Sequence, residues 1–218
     1  MTDFIVHGVP GSPYVRAALL GLEEKGASWR LKTLGMGETR SPAHLEHQPF
    51  GRIPAIEHGD FRLYEVQAIL RYLDRIFPIP AWTPTDPRAE ARMNQICGIT
   101  DWYVMPDISS GIVFQRAVAP RFGMPVDEAT IAAALPRAKV CMVELSRLLG
   151  DKPFMVGEAL SIADLILAPQ LEFFTQVEEG APMFEALPNL KAWVARMTAR
   201  PSMQRTTWER LAADAQAA

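Results

Sequence analysis

Apolar and polar residues follow two different periods along the first part of the chain, and the switches between them mark its elements. Phe4-Ile5-Val6-His7 is a short apolar run closed by the turn residues Gly8-Val9-Pro10-Gly11, which predicts a strand. From Ser12 the period lengthens. Val15, Ala18, Leu19 and Leu22 fall at i, i+3, i+4 and i+7, one apolar face of a helix. Ser12 suits the N-cap, Pro13 the first helical position and Gly26 the C′ stop. Trp29-Arg30-Leu31-Lys32-Thr33 alternates and predicts a second strand, parallel to the first across a strand–helix–strand unit. Gly35-Met36-Gly37 reads as loop, and Ser41-Pro42 repeats the cap signal at the start of a short helix through Leu45. An irregular stretch from Gln48 to Arg52 leads to Ile53-Pro54. Ala55–His58 and Phe61–Tyr64 flank Gly59-Asp60, a two-residue hairpin loop with Gly first, as a type II′ turn prefers. Glu65 then opens a helix with Val66, Ile69, Leu70 and Leu73 on one face. Four strands flanked by helices predict a compact α/β domain over residues 1–77.

The pattern changes at Phe77. Pro78, Pro80, Pro84 and Pro87 exclude continuous helix or central strand, so residues 78–87 read as a linker. Beyond it no strand alternation survives. Arg88 to Tyr103 is helical in composition with an interruption expected near Pro106, and Ile112 to Ala119 forms a further helical stretch. Asp127 to Leu149 is a long one in which Pro136 predicts a boundary or kink. Ser161-Ile162-Ala163-Asp164 has the form of a capping box, opening a helix through about Phe174. Leu190 to Ala199 is another helix, stopped at Arg200-Pro201, and the tail Asp214 to Ala218 is expected to fray. Residues 88–218 are therefore expected to form one all-α domain.

Composition narrows the function classes. A chain of 218 residues, 49% apolar, can bury a real core. Its formal net charge of -3 and lack of a basic block argue against nucleic acid as a partner. No run of about 18 apolar residues suggests a membrane span, and no signal peptide is visible. Cys97 and Cys141 are far apart and form no CxxC, which points to free thiols in a reducing compartment, the cytoplasm.

Candidate chemistry starts at Ser12, a hydroxyl at the positive end of a helix, where an anion can be held. Ser41-Pro42 shows that the same signal also occurs for structural reasons alone. Ile53 before Pro54 offers its backbone N–H and C=O to an extended ligand, as an added strand would pair, if the bond is cis. Glu65 either favours its helix dipole or binds a ligand ammonium. Arg40 and Arg52 are either solvated charges or partners for a ligand carboxylate. His44 and His47, three apart, are spaced as a ligand pair, but no matching Cys, His or HExxH pattern supports them. No metal is expected, and His44 and His47 read as solvated polar residues; His7 and His58 are the only other histidines. A GxSxG elbow, a P-loop and GxGxxG are all missing from the sequence.

Taken together, Ser12-Pro13-Tyr14-Val15-Arg16, Pro49-Phe50-Gly51-Arg52-Ile53-Pro54-Ala55-Ile56, Leu63-Tyr64-Glu65 and Ser161-Ile162-Ala163-Asp164-Leu165 resemble a cytosolic glutathione transferase in order and spacing. The Ser-Pro-Tyr form and Glu38-Thr39-Arg40-Ser41-Pro42-Ala43-His44-Leu45 resemble the serine-type classes, most closely bacterial phi-like members. The resemblance implies a thioredoxin-like N-terminal domain and an all-helical C-terminal domain, the glutathione transferase fold, in a cytoplasmic homodimer that serves detoxification. It implies glutathione as co-substrate and a small hydrophobic electrophile as second substrate. Ser12 would be catalytic, donating a hydrogen bond to the glutathione sulfur. Ile53, before cis Pro54, would pair with the cysteinyl backbone, Glu65 would bind the γ-glutamyl ammonium, and Arg40 and Arg52 would meet the glycyl carboxylate. Met105, Ile108, Ile112 and Phe114 are candidates for the wall of the second-substrate site.

The chain departs from the family's pattern at two positions. Val66 stands where a Ser normally gives a hydroxyl and a backbone N–H to the γ-glutamyl carboxylate, so only the N–H remains. One lost hydrogen bond to a charged group is worth roughly 1.5–3 kcal/mol, about tenfold to a hundredfold in affinity. Thr39 replaces a basic or imidazole residue. Two alternatives to a transferase follow: a non-catalytic binding or scaffold protein of the same fold, which Val66 favours, and a glutathione-dependent peroxidase.

Overall fold

The structure, a computed structural model, describes residues 3–35 and 37–217. Met36, in the expected Gly35–Gly37 loop, and Ala218, at the expected frayed end, lie outside the described residues. The chain divides into two units, Met1–Thr83 with Ala199–Ala218, and Pro84–Thr198. This differs from the sequence expectation, which assigned the last twenty or so residues to the helical half.

In the first unit, β1 (Phe4–Gly8), β2 (Trp29–Thr33), β3 (Ala55–His58) and β4 (Phe61–Tyr64) form one sheet in the order β2-β1-β3-β4. β1 and β2 are parallel, as expected from the strand–helix–strand order, and β3 is antiparallel to both neighbours. The helices are α1 (Pro13–Glu24), α2 (Pro42–Leu45) and α3 (Val66–Ile76). At the end of β1, Gly8 leaves no room for a side chain: a Cβ there would stand 2.4 Å from Val15 Cγ2. Glycine is what lets α1 close onto the strand. In the β3–β4 hairpin Gly59 has φ +65° and Asp60 does not share a positive φ, which matches the type II′ expectation.

The end of α3 is fixed by a buried charge. Asp74 accepts from Lys25 Nζ (2.9 Å), Trp82 N (2.9 Å), Thr83 N (3.0 Å) and Thr83 Oγ1 (2.8 Å). The Lys25 ammonium also donates to the carbonyls of Phe77 and Pro80 and lies 3.9 Å from the centroid of the Trp82 ring. Burial alone would raise the Asp74 carboxyl, but these donors hold it below the usual carboxylate range. The proline-rich segment is therefore tied down as far as Thr83.

The second unit contains α4 (Pro87–Ile99), α5 (Glu128–Leu149), α6 (Ile162–Phe174), α7 (Gly180–Glu185) and α8 (Pro188–Thr198). No break occurs at Pro106. α4 continues directly into a wider, π-type helical stretch over Thr100–Val118 that carries Pro106 inside it. Pro136 likewise sits within an unbroken α5. A proline removes one ladder bond, and packing of the flanking turns keeps both helices continuous. The expected capping box opens α6. Asp164, fully buried, accepts from Ser161 N (3.0 Å), Ser161 Oγ (2.7 Å), Met155 N (2.8 Å) and Trp193 Nε1 (2.9 Å). One carboxylate thus joins the start of α6, the preceding loop and α8. Among the described residues no helix is long and apolar enough to cross a membrane.

The last segment returns to the first unit as α9 (Pro201–Arg205) and α10 (Trp208–Ala217), so most of the expected frayed tail is helical. α1 is buried beyond its apolar face: the returning segment meets it at Arg16, while Gly21 faces Leu70, Leu73 and Trp82. Arg16 Nη2 donates to the Met203 carbonyl at 3.0 Å. Glu24 accepts from Arg200 Nε at 2.9 Å and from the Ser202 hydroxyl, and Glu23 pairs with Arg205.

Two outcomes follow from the buried carboxylates. Asp164→Ala leaves a cluster of donors without a partner and should cost at least about 3 kcal/mol by chemical denaturation, against about 1 kcal/mol for Ser161→Ala. Asp74, depressed in the folded state, contributes stability that is full above the unfolded value of about 3.9 and is lost as pH falls through its lower folded value. Asp74→Asn should therefore flatten the acid limb of the stability–pH curve below about pH 4. Equal acid slopes in urea denaturation of the two proteins would contradict this.

Candidate functional site

The strand register brings the candidate segments to one end of the sheet. His7 pairs with Ala55, and Ala55 with Tyr64 on its other side. β1 and β2 end at Gly8 and Thr33, which are paired, while β3 starts and β4 ends at the same level. The turn before Ser12, the segment after β2 that carries Arg40, the Ile53-Pro54 entry to β3 and Glu65 after β4 all leave from this edge.

Ser12 caps α1 with extended backbone (φ −71°, ψ 123°), and its Oγ accepts from Val15 N at a long 3.4 Å. Its O–H donates to no protein group among the described residues, so the hydroxyl can hold the helix and still donate outward. The turn is braced from behind by α10. A Cβ on Gly11, at φ +88°, would stand 2.4 Å from Trp208 Cδ2, so the indole occupies the space a side chain would need.

Arg40 ends a 3₁₀ turn over Glu38–Arg40 and is exposed, as is Arg52. The Arg52 loop is strung on two buried side chains. Gln48 Oε1 accepts from Phe50 N (2.7 Å) and Arg52 N (3.1 Å), and His44 Nε2 bonds the Arg52 carbonyl at 2.8 Å. Gly51 approaches the backbone of Thr39, where an added Cβ would meet Thr39 O at 3.1 Å. The turn carrying Arg40 and the loop carrying Arg52 are therefore neighbours. Ile53-Pro54 is a cis peptide, with Ile53 half-buried and Pro54 buried.

Glu65 stands at φ 70°, ψ 110°, the only non-glycine residue with positive φ among the described residues. It precedes α3, which has no side-chain cap. The first amides of α3 thus face an end of the helix where a ligand anion is favoured, and Glu65 places an exposed carboxylate beside them. Val66 is 7% exposed and packs inward.

Two expectations change. His44 and His47 are not fully solvated: His44 is 2% exposed, bonded to the Arg52 carbonyl of the Gln48–Arg52 loop, and His47 is half-buried. Ile108 and Ile112 are fully buried, one helical turn apart on a packed face, and present no surface to a ligand. Met105 is half-buried and Phe114 exposed. Gln48 and Trp208 escaped the sequence reading, and His44 was read only as a possible ligand or a solvated residue, not as a loop anchor. Their roles depend on backbone atoms that no local pattern points to.

This site can hold an extended, doubly charged small molecule against a backbone edge, with a hydroxyl donor at one end and a carboxylate with helix amides at the other. Comparison with known proteins accords with that geometry. Residues 6–84 match the family model for the glutathione S-transferase N-terminal domain, and residues 104–201 that for its C-terminal domain. The probable glutathione S-transferase GSTF1 of Oryza sativa subsp. japonica is 29% identical over 213 residues, covering 94% of this chain and 95% of the relative. The glutathione S-transferase of Hyoscyamus muticus is 29% identical over 202 residues, covering 90% and 94%. Glutathione transferase F2 of Populus trichocarpa superposes with a TM-score of 0.85 at 26% identity, covering 96% of this chain and 99% of that one. Both domains, in this order and over this length, show that the chain belongs to the glutathione S-transferase family.

Proposed function

We propose that this protein is a glutathione S-transferase that joins the thiolate of glutathione to a small apolar electrophile. The observation that carries the reading is the Ser12 hydroxyl, held at the N-terminus of α1 with no acceptor for its proton among the described residues, on the same sheet edge as Ile53 and Glu65. A free thiol has a pKa of about 8.5, so little thiolate exists at neutral pH. A donated hydrogen bond and a helix N-terminus favour the charged sulfur. The thiol proton goes to solvent, the sulfur lone pair forms the new S–C bond, and the leaving group departs with the electrons of the broken bond.

In this reading Ile53 pairs with the cysteinyl backbone, Glu65 takes the γ-glutamyl ammonium, and the α3 amides, Val66 N–H among them, take its carboxylate. Arg40 and Arg52 receive the glycyl end. Met105 and Phe114 keep the surface an apolar electrophile needs. Cys97 and Cys141 are buried and in no disulfide, and burial pushes the Cys141 thiol up to about 12, so the reactive sulfur belongs to the co-substrate. The cytoplasmic homodimer expected from the resemblance is part of the same proposal. The buried, hydroxyl-free Val66 favours a second reading, a binding or scaffold protein with weakened glutathione affinity.

Glutathione titration by calorimetry with an aryl halide transferase assay separates the two. Ser12→Ala should cut kcat/KM by roughly tenfold to a hundredfold, the worth of one hydrogen bond to a charged sulfur, and move the pH–rate profile upward. Glutathione affinity should change much less. Turnover that is unaltered would reduce Ser12 to a cap, and no binding at millimolar glutathione would leave only the scaffold reading. Val66→Ser should tighten glutathione binding, up to about tenfold or more. An unchanged affinity would show that other groups already hold the carboxylate.

A further inference from the structure

The face of the sheet opposite α1 carries a polar cluster that the transferase reading does not use. Gly8 abuts Val15 of α1, so His7, the next residue along β1, points to the other face. There it meets Glu57 of β3 and His47, which follows α2. His7 Nε2 lies 2.5 Å from Glu57 Oε1, and His47 Nδ1 lies 3.9 Å from the same oxygen. The two imidazoles stack with centroids 4.2 Å apart. One donor atom from each residue falls within 4.8 Å of the others. The geometry points to a divalent transition-metal site, for Zn²⁺ or an ion of similar preference, formed by His7, His47 and Glu57.

Three observations support it. The donor set, two imidazoles and one carboxylate, is that of zinc sites that keep a fourth position for water. The spacing is close to that of a chelate. Two ligands on one zinc, each at about 2.0–2.2 Å, stand roughly 3.3–3.6 Å apart in a tetrahedron. The shorter contact must open, and the longer one close, by about an ångström or less. Most telling, His47 Nδ1 is buried and has no hydrogen-bond partner. An orphaned imidazole nitrogen beside a carboxylate is the state a ligand resolves. His44, the neighbour that sequence spacing paired with His47, is not free to take part through Nε2, which bonds the Arg52 carbonyl.

Protonation agrees. Burial lowers both histidines below their ordinary value, leaving neutral rings with a lone pair to give at neutral pH. Burial works against the Glu57 charge, but the His7 hydrogen bond and nearby cationic groups hold its carboxyl below the usual range. Binding moves the His7 proton from Nε2 to Nδ1, and no net proton need be lost. Lys32 and Arg62 face the cluster and work against the ion. Glu57 and His47 keep 21% and 13% of their side-chain surface, which leaves an entry path.

The test uses untagged full-length protein and the metal alone, titrated with Zn²⁺ by calorimetry and with Co²⁺ by visible absorption. One ion per chain is expected, with a Co²⁺ spectrum of low coordination number. His47→Ala and Glu57→Gln should each weaken binding at least about tenfold. His58→Gln, whose native Nδ1 already bonds Tyr72 Oη, should leave it unchanged. Circular dichroism confirms folding of each variant, and Glu57→Gln preserves the side-chain size that His47→Ala removes. No binding at millimolar Zn²⁺ overturns the site, as does binding that survives both variants. Neither readout depends on transferase activity.

Discussion

The pairing of His7 with Ala55 is the constraint on which the candidate site depends. β3 is short and is held on one side by β1 and on the other by β4, so a single register sets the level of both. Side chains alternate along a strand, and a one-residue slip would exchange the two faces. Ile56 would leave the core, and His7 and Glu57 would lose each other. The slip would also move Ile53 relative to Ser12. Placement of the ligand-facing backbone and formation of the apolar core are thus the same event.

What the sheet aligns, the helix ends make chemically useful. α1 and α3 both start at the functional edge, and their unpaired amides favour negative charge there. They are finished differently. α1 is capped by Ser12, while α3 follows Glu65 without a side-chain cap. Rigidity at Ser12 comes from residues far away in the chain. Trp208 fills the space above Gly11, and the Arg16 bond to the Met203 carbonyl anchors α1 from its other side. The C-terminal segment therefore supports the turn that carries the hydroxyl.

Local signals in the sequence were enough for the elements from β1 to α3 and for the start of α6. Ser12-Pro13, Ser41-Pro42, Gly59-Asp60 and the capping box at Ser161 each act over a few residues, and each forms as its chemistry dictates. The cis peptide before Pro54 was expected from the family resemblance, since spacing alone fitted an ordinary strand-entry proline equally well. Long-range features were not legible. Nothing in Ala199–Ala218 announces a return to α1, since its bonds reach the side chains of Arg16 and Glu24 about 180 residues away. Pro106 and Pro136 read as breaks because a proline costs a ladder bond locally, whereas packing along the helix decides continuity. His44 and His47 read as solvated because the groups they meet, the Arg52 carbonyl and Glu57, lie beyond their own helix and are not announced by their spacing.

Glu65 and Val66 show how fold and function compete at one joint. A residue other than glycine at φ 70° costs of order 1–3 kcal/mol, and it persists only where its surroundings fix it on both sides. Here the end of β4 and the start of α3 do so, and Val66 contributes by burying its side chain at the first turn. A hydroxyl at position 66 would serve a ligand carboxylate better but would give up that apolar contact. The strained backbone aims the Glu65 carboxylate and the free amides at the same edge whichever side chain follows. In the proposed reading, the γ-glutamyl end would then meet backbone geometry held by packing, with the identity of residue 66 setting the strength of that contact.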